Sequence, residues 1–130
     1  MNIRNLERIK QQWQFASDAM PQLICLVDRV GRVMHANRTL ERWNLGEVEA
    51  VSGVDLHDVM HKHCSDQGCY LRLYWQRTAM ALAKDRRAEC EIWDPLLKRH
   101  FEIRAQRPVQ GEGAGFENFF AVVTIDDVTE

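Results

Sequence analysis

The sequence predicts an α+β domain, and three stretches carry that prediction. Residues 23–37 read as a hairpin, residues 70–84 as a long amphipathic helix, and residues 87–125 as three strands separated by turns. A length of 130 residues gives room for one hydrophobic core and not for two ordinary ones.

Asn2 to Met20 reads as a helix, with Leu6, Ile9, Trp13, Ala16 and Met20 spaced three and four residues apart in a heptad-like seam. Arg4, Glu7, Arg8, Lys10, Gln11 and Gln14 fill the other positions, so the seam needs an apolar partner, either the domain's own sheet or a second copy of the chain. Pro21 stops the helix, because the residue before a proline avoids the helical region. In the hairpin, Leu23, Cys25 and Val27 fall on one face of an extended chain and Ile24 and Leu26 on the other, which suits a strand covered on both sides. Asp28 and Gly31 supply the turn, since Asp bonds its own downstream backbone and Gly tolerates positive φ. Arg32 to Ala36 then returns, and Asn37 is placed to cap a helix from Arg38 to Trp43 in which Leu40 and Trp43 share a face.

Glu41 to Gly53 reads as short helix and loop. Asp55 is placed to cap a further helical piece from Leu56 to about Cys64, with Leu56, Val59, Met60 and His63 as an inward stripe. Ser65 to Gly68 interrupts it with loop residues. Tyr70 to Lys84 follows, its face of Leu71, Tyr74, Trp75, Thr78 and Leu82 suited to roof the sheet. Arg87 to Trp93 alternates, with Ala88, Cys90 and Ile92 on one face, and Asp94-Pro95 turns the chain. His100 to Gln106 repeats the alternation with Phe101, Ile103 and Ala105. Gln110 to Asn118, with its three glycines, reads as an exposed loop. Phe119 to Ile125 is apolar on both faces, the mark of a central strand, and the first helix is its expected cover on the second face.

Composition excludes several functions. A formal net charge of −2 is opposite in sign to the basic surface that general nucleic-acid binding requires. No apolar run approaches a membrane span, and the charged, amphipathic start is unlike a signal peptide, so the chain is expected in the cytoplasm. Four cysteines without a secretory segment do not suggest a disulfide scaffold. Enzyme signatures are missing: there is no nucleophile elbow or kinase motif, and Gly111, Gly113 and Gly115 precede a strand rather than a phosphate-binding helix. Asp126 and Asp127 read as a junction. Catalysis is not expected of this segment.

The run LICLVDRVGRVMHAN at Leu23–Asn37 and the run FFAVVTIDDVTE at Phe119–Glu130 resemble the first and last strands of a PAS domain, and the order of elements between them resembles the rest of it. The resemblance implies a five-stranded antiparallel sheet in the order 2-1-5-4-3, helices on one face and an N-terminal flanking helix. It divides the chain into a flanking or dimerisation helix at residues 1–20 and a PAS domain at residues 21–130. Asp126 to Glu130 is similar to the D-[IV]-T sequence through which such domains run into an output helix. The implied function is a cytoplasmic sensory and dimerisation module of a sensor histidine kinase in a two-component system. It would be a homodimer through its first helix, relaying a ligand or partner signal through the last strand to an output domain beyond Glu130. The segment around Cys64 to Cys69 departs from the family pattern as an insertion ahead of the long helix.

Three kinds of candidate site follow. The spacing His57-x3-His61-x2-Cys64-x4-Cys69 would place two imidazoles and a thiol on one helix face, with the loop returning Cys69 as a fourth ligand. Such a set suits tetrahedral zinc, with a redox-active iron centre as another reading. His63 is an alternative ligand, and a wet helix face with no metal is the plain alternative. Cys64 and Cys69 alone could form a reversible disulfide, with His63 or the start of the long helix lowering a thiol pKa. Cys25 and Cys90 read as small buried hydrophobes. A pocket between sheet and helices for a small molecule would be lined by Cys25, Val27, Trp43, Leu56, Leu71, Trp75, Cys90, Ile92, Phe101 and Ile103, or that space would be filled by these side chains. No particular cofactor is singled out. The long helix lacks the histidine that haem-binding members of the family use, the Asn-Cys-Arg motif of the flavin photoreceptors is missing, and Trp43 and Trp75 could stack on a noncovalent flavin.

Overall fold

The apolar alternation at the two ends of the chain brings them together as neighbouring strands. The computed structural model describes residues 3–107 and 119–129. Helix α1 (Ile3–Asp18) leads into β1 (Leu23–Val27) and β2 (Arg32–Ala36). Then come α2 (Thr39–Arg42), a 3-10 turn (Val48–Ala50), β3 (Val54–Asp55) and α3 (Leu56–Met60). Helix α4 (Tyr70–Asp85) precedes β4 (Arg87–Asp94), β5 (Arg99–Gln106) and β6 (Ala121–Asp127). The strands form one antiparallel sheet in the order β3-β2-β1-β6-β5-β4. This is the expected 2-1-5-4-3 sheet with a sixth strand, the two-residue β3, added beside β2.

Register explains the core. Leu23, Cys25 and Val27 of β1 stand opposite Ile125, Val123 and Ala121 of β6, and Ile103 and Ala105 of β5 stand opposite Ile125 and Val123 on the other side. All of them are buried on the face that meets the helices. Leu71, Tyr74, Thr78 and Leu82 of α4 roof that face, with Leu40 of α2 and Leu56, Val59 and Met60 of α3 beside them. Each large aliphatic or aromatic side chain taken fully from water contributes about 1.5–3 kcal/mol. Burial pushes the Cys25 thiol up to about 12, so it is an inert core residue.

Several local expectations change. Asn37 does not cap α2; position 38 precedes that helix and makes no side-chain cap bond. Fully buried, Asn37 instead accepts from the Ile24 N–H (2.9 Å) and donates to the Ser17 (2.6 Å) and Gln22 (3.0 Å) carbonyls, tying the end of α1 to the sheet. Asp55, the last residue of β3, occupies the N-cap position of α3 as expected but makes no side-chain cap bond. Helix α3 stops at Met60 rather than near Cys64. His61 leaves the helical region (φ −124°, ψ 69°), and His63 turns the chain with φ +65° and is exposed rather than part of an inward stripe. Cys90 is exposed, because β4 is the outer strand and the roof only half-covers Ala88 and Ile92. Of the α1 seam, Trp13 is half-buried with its ring edge-on to His35, whereas Ala16 and Met20 are exposed. The side chains of Leu6 and Ile9 lie outside the described residues, as does the loop expected at residues 110–118.

The turn between β1 and β2 forms as its sequence predicts. Asp28 Oδ1 accepts from the Val30 and Arg32 N–H groups, and Gly31 has φ +89°. A Cβ at Gly31 would lie 2.7 Å from Trp75, whose indole N–H donates to the Arg29 carbonyl at 2.9 Å. Gly31→Ala should therefore destabilise the domain by about 2–4 kcal/mol through backbone strain and overpacking together. Urea unfolding followed by tryptophan fluorescence measures it, and a loss under about 0.5 kcal/mol would show that α4 yields freely at this point.

Candidate metal centre

Where α3 ends, the chain makes a polar turn and re-enters the interior at the start of α4. Cys64 N–H bonds the His61 carbonyl at 3.2 Å, which closes the first bend. Asp66 shapes the next: its Oδ1 accepts from Gly68 N–H at 2.9 Å, and its carbonyl accepts from Cys69 N–H at 3.2 Å. Arg72 of α4 reaches back to donate to the carbonyls of Cys64 (2.9 Å) and Asp66 (3.2 Å). The end of the expected helix, from His61 to Cys64, is thus a turn that runs into the expected loop of Ser65 to Gly68, and Arg72 pins both.

This turn gathers His57, His61, Cys64 and Cys69, one ligand atom of each lying within 4.8 Å of the others. His57, His61 and Cys69 are buried and Cys64 is half-buried. His63 is not part of the group. The two imidazoles are each held on one side by a carboxylate. His57 Nδ1 is 2.9 Å from Asp58 Oδ1, and His61 Nε2 is 2.5 Å from Asp94 Oδ2. The remaining nitrogens face inward: His61 Nδ1 is 3.2 Å from Cys69 Sγ, and His57 Nε2 is buried without a hydrogen-bond partner.

Asp94 is the residue that sequence reasoning missed. It was legible only as half of an Asp-Pro turn, yet its carboxylate is fully buried. Oδ1 accepts from the Leu96 (2.9 Å) and Leu97 (2.8 Å) N–H groups, and Oδ2 accepts from the Tyr70 hydroxyl (2.7 Å) as well as facing His61. Burial by itself raises such a carboxyl, but the bonds from Leu97, Tyr70 and His61 outweigh it and hold Asp94 below the ordinary carboxylate range. Burial first, and the bond to Asp94 second, push the Tyr70 phenol well above its usual value, which keeps it a donor.

The residues expected to line one pocket are divided. Cys25, Val27, Phe101, Ile103, Leu56 and Leu71 are packed in the core. Cys90 and Ile92 line an apolar groove of about 250 Å³ between α4 and β4, together with Tyr70, Leu73, Tyr74, Arg77, Thr78, Ala88 and Glu89. Trp43 stacks on Phe101 at 5.7 Å beside a more polar hollow, and Trp75 borders a third hollow near Gly31. Trp43 and Trp75 therefore do not face one shared space among the described hollows.

The family model for the PAS fold matches residues 17–130. The chain belongs to the PAS family. Solved PAS structures agree in fold. The PAS domain of Bordetella pertussis BvgS aligns with a TM-score of 0.63 at 15% identity, covering 95% of this chain and 88% of that one. The photoactive yellow protein domain of the sensor histidine kinase Ppr from Rhodospirillum centenum aligns with a TM-score of 0.57 at 18% identity, covering 88% and 92%. The PAS domain of the Cronobacter turicensis quorum-sensing receptor RpfR, solved in complex with BDSF, aligns with a TM-score of 0.60 at 17% identity, covering 85% and 96%. No curated protein matches the sequence.

PAS domains are in general sensory, non-catalytic modules, and no helix among the described residues is long and apolar enough to cross a membrane. Within this PAS domain the His/Cys group lies at the helical side, bonded through Asp94 to the end of β4. Asp94→Ala would leave four donors without an acceptor and should cost about 3–5 kcal/mol, whereas Tyr70→Phe removes one donor and should cost about 1–2 kcal/mol. Chemical denaturation of both variants checks the ranking, and equal losses would contradict the shared role given to Asp94.

Proposed function

We propose that this PAS domain is the non-catalytic sensory and dimerisation module of a cytoplasmic signalling protein, a sensor histidine kinase of a two-component system. A ligand or partner binding at the helical side shifts the helices against the sheet, and β6 passes the shift to an output domain after Glu130. The observation that carries this reading is the way the exit from β6 is tied to β5. Val128 N–H donates to the His100 carbonyl at 2.8 Å, and His100 N–H donates to Thr129 Oγ1 at 2.7 Å. Thr129 N–H in turn donates to Asp127 Oδ1 at 2.9 Å. His100 and Arg99 open β5 directly after the turn that Asp94 organises, so a change at the helical side has a short covalent route to the exit. The likeness in fold to a domain of a sensor histidine kinase and to a ligand-binding receptor domain supports the same reading.

Dimerisation is supported by the heptad-like seam of α1 and by the exposure of Phe15 (83%) on that helix and of Met20 (49%) just past its end. A second reading, a metal-binding or thiol-redox sensor, is favoured by the convergence of His57, His61, Cys64 and Cys69. Both readings share the same output route.

Two experiments test the proposal. Sedimentation equilibrium should show a dimer, and Leu6→Glu with Ile9→Glu should render it monomeric with an unchanged far-UV circular dichroism spectrum; a wild-type monomer would remove dimerisation from the function. In the parent protein, Asp127→Ala with Thr129→Ala should reduce input-dependent output several-fold while leaving the domain folded. Unchanged output would take the exit segment out of the pathway.

A further inference from the structure

The second of those readings can be committed to a particular ion and a particular set of atoms. We infer that His57 Nε2, His61 Nδ1, Cys64 Sγ and Cys69 Sγ form a closed, four-coordinate site for Zn²⁺, with Asp58 and Asp94 as the groups that orient the two imidazoles.

Geometry comes first. Zinc bonds of about 2.3 Å to sulfur and about 2.0–2.1 Å to nitrogen define a tetrahedron with edges of roughly 3.3–3.8 Å. The His61 Nδ1 to Cys69 Sγ separation is 3.2 Å, and one ligand atom of each of the four residues lies within 4.8 Å of the others, so small side-chain rotations close the set around one ion. The partners of the second ring nitrogens then fix the tautomers. A carboxylate on His57 Nδ1 and another on His61 Nε2 leave the opposite nitrogen of each ring with a free lone pair, the arrangement that metal-ligating histidines use. His57 Nε2 is the independent sign: the residue is 7% exposed, and that nitrogen is buried with no hydrogen-bond partner, which a metal bond would supply.

Charge comes next. Coordination replaces the two thiol protons with one dication, so two thiolates, two neutral imidazoles and Zn²⁺ form a centre of zero net charge. A neutral centre is compatible with the buried position of His57, His61 and Cys69. Two sulfurs and two nitrogens in a tetrahedral set select zinc over the hard, oxygen-seeking Mg²⁺ and Ca²⁺. Four protein ligands leave no open position, so the site stabilises or senses and does not activate water. The exposed loop from Ser65 to Gly68 and the half-buried Cys64 provide the access route. Zinc would join the end of α3 to the start of α4, elements already joined through His61, Tyr70 and Asp94.

The test is zinc loading of the purified chain under reducing conditions, read by elemental analysis and native mass spectrometry. One zinc per chain is expected, retained through dialysis against metal-free buffer, and lost in Cys64→Ser and Cys69→Ser. Asp58→Asn touches only an exposed carboxylate and should leave the fold intact while weakening zinc affinity about 10–100-fold, measured by competition with a chromophoric chelator. If the cysteine variants fail to fold, titration of the wild-type chain with Co²⁺ replaces them. The visible bands of a four-coordinate ion, with thiolate-to-cobalt charge transfer in the near ultraviolet, are then expected. No zinc uptake together with a reversible Cys64–Cys69 disulfide would overturn the metal assignment and leave the thiol-redox sensor standing. Iron in place of zinc would overturn the choice of ion, and neither metal nor disulfide would overturn both.

Discussion

The junction between the helical side and the sheet depends on one buried carboxylate. Asp94 lies fully out of water, and an ionised group so placed costs several kcal/mol unless its lone pairs are filled. Leu96, Leu97, Tyr70 and His61 fill them, and the four bonds reach three parts of the fold. The two backbone donors shape the turn from β4 into β5, the phenol sets where α4 begins, and the imidazole sets where α3 ends. Displacing any one of these three would leave the carboxylate short of a donor, so they move as a unit.

A second buried polar group does comparable work at the other end of the sheet. Asn37 uses its amide to join α1 to β1, through one acceptance from Ile24 and donations to Ser17 and Gln22. Between these two anchors the sheet is held by its backbone hydrogen-bond ladders and its apolar register, β1 against β6 against β5, with small Ala105 and Ala121 among larger neighbours. Apolar packing supplies most of the stability, and the polar anchors define how helices meet the sheet. Those meeting points are where binding can be converted into movement.

Much of this was legible in the sequence because it rests on local periodicity. The doubly apolar runs of Leu23–Val27 and Phe119–Ile125, the alternation of Phe101–Ala105, and the stripe of Leu71, Tyr74, Thr78 and Leu82 correspond to the strands and roof of the structure. The His57, His61, Cys64 and Cys69 spacing was also visible, but the reason given for it, one long helix face, was not the one the fold uses. What could not be read were the long-range partners. Nothing near Asp94 or Asn37 in the sequence says that one will meet His61 and the other Ser17, and both were assigned the commonest local role, a turn and a cap. Cys90 was misjudged for a related reason: alternation identifies a strand's inner face but not whether the strand is at the sheet's edge.

The four clustered side chains all come from the short stretch between His57 and Cys69, with the turn closed by its own backbone and by Arg72. Of the two carboxylates that hold the imidazoles, Asp58 comes from the same stretch and Asp94 from elsewhere. No strand of the central sheet contributes to the cluster, and the apolar register of β1, β6 and β5 is independent of it. Such an arrangement is modular in an evolutionary sense: a lineage with α3 already in place could gain it by lengthening the turn between Met60 and Tyr70 and placing one aspartate at the end of the outer strand. It could lose it by shortening the same turn, with α3 and its core residues Val59 and Met60 left in place.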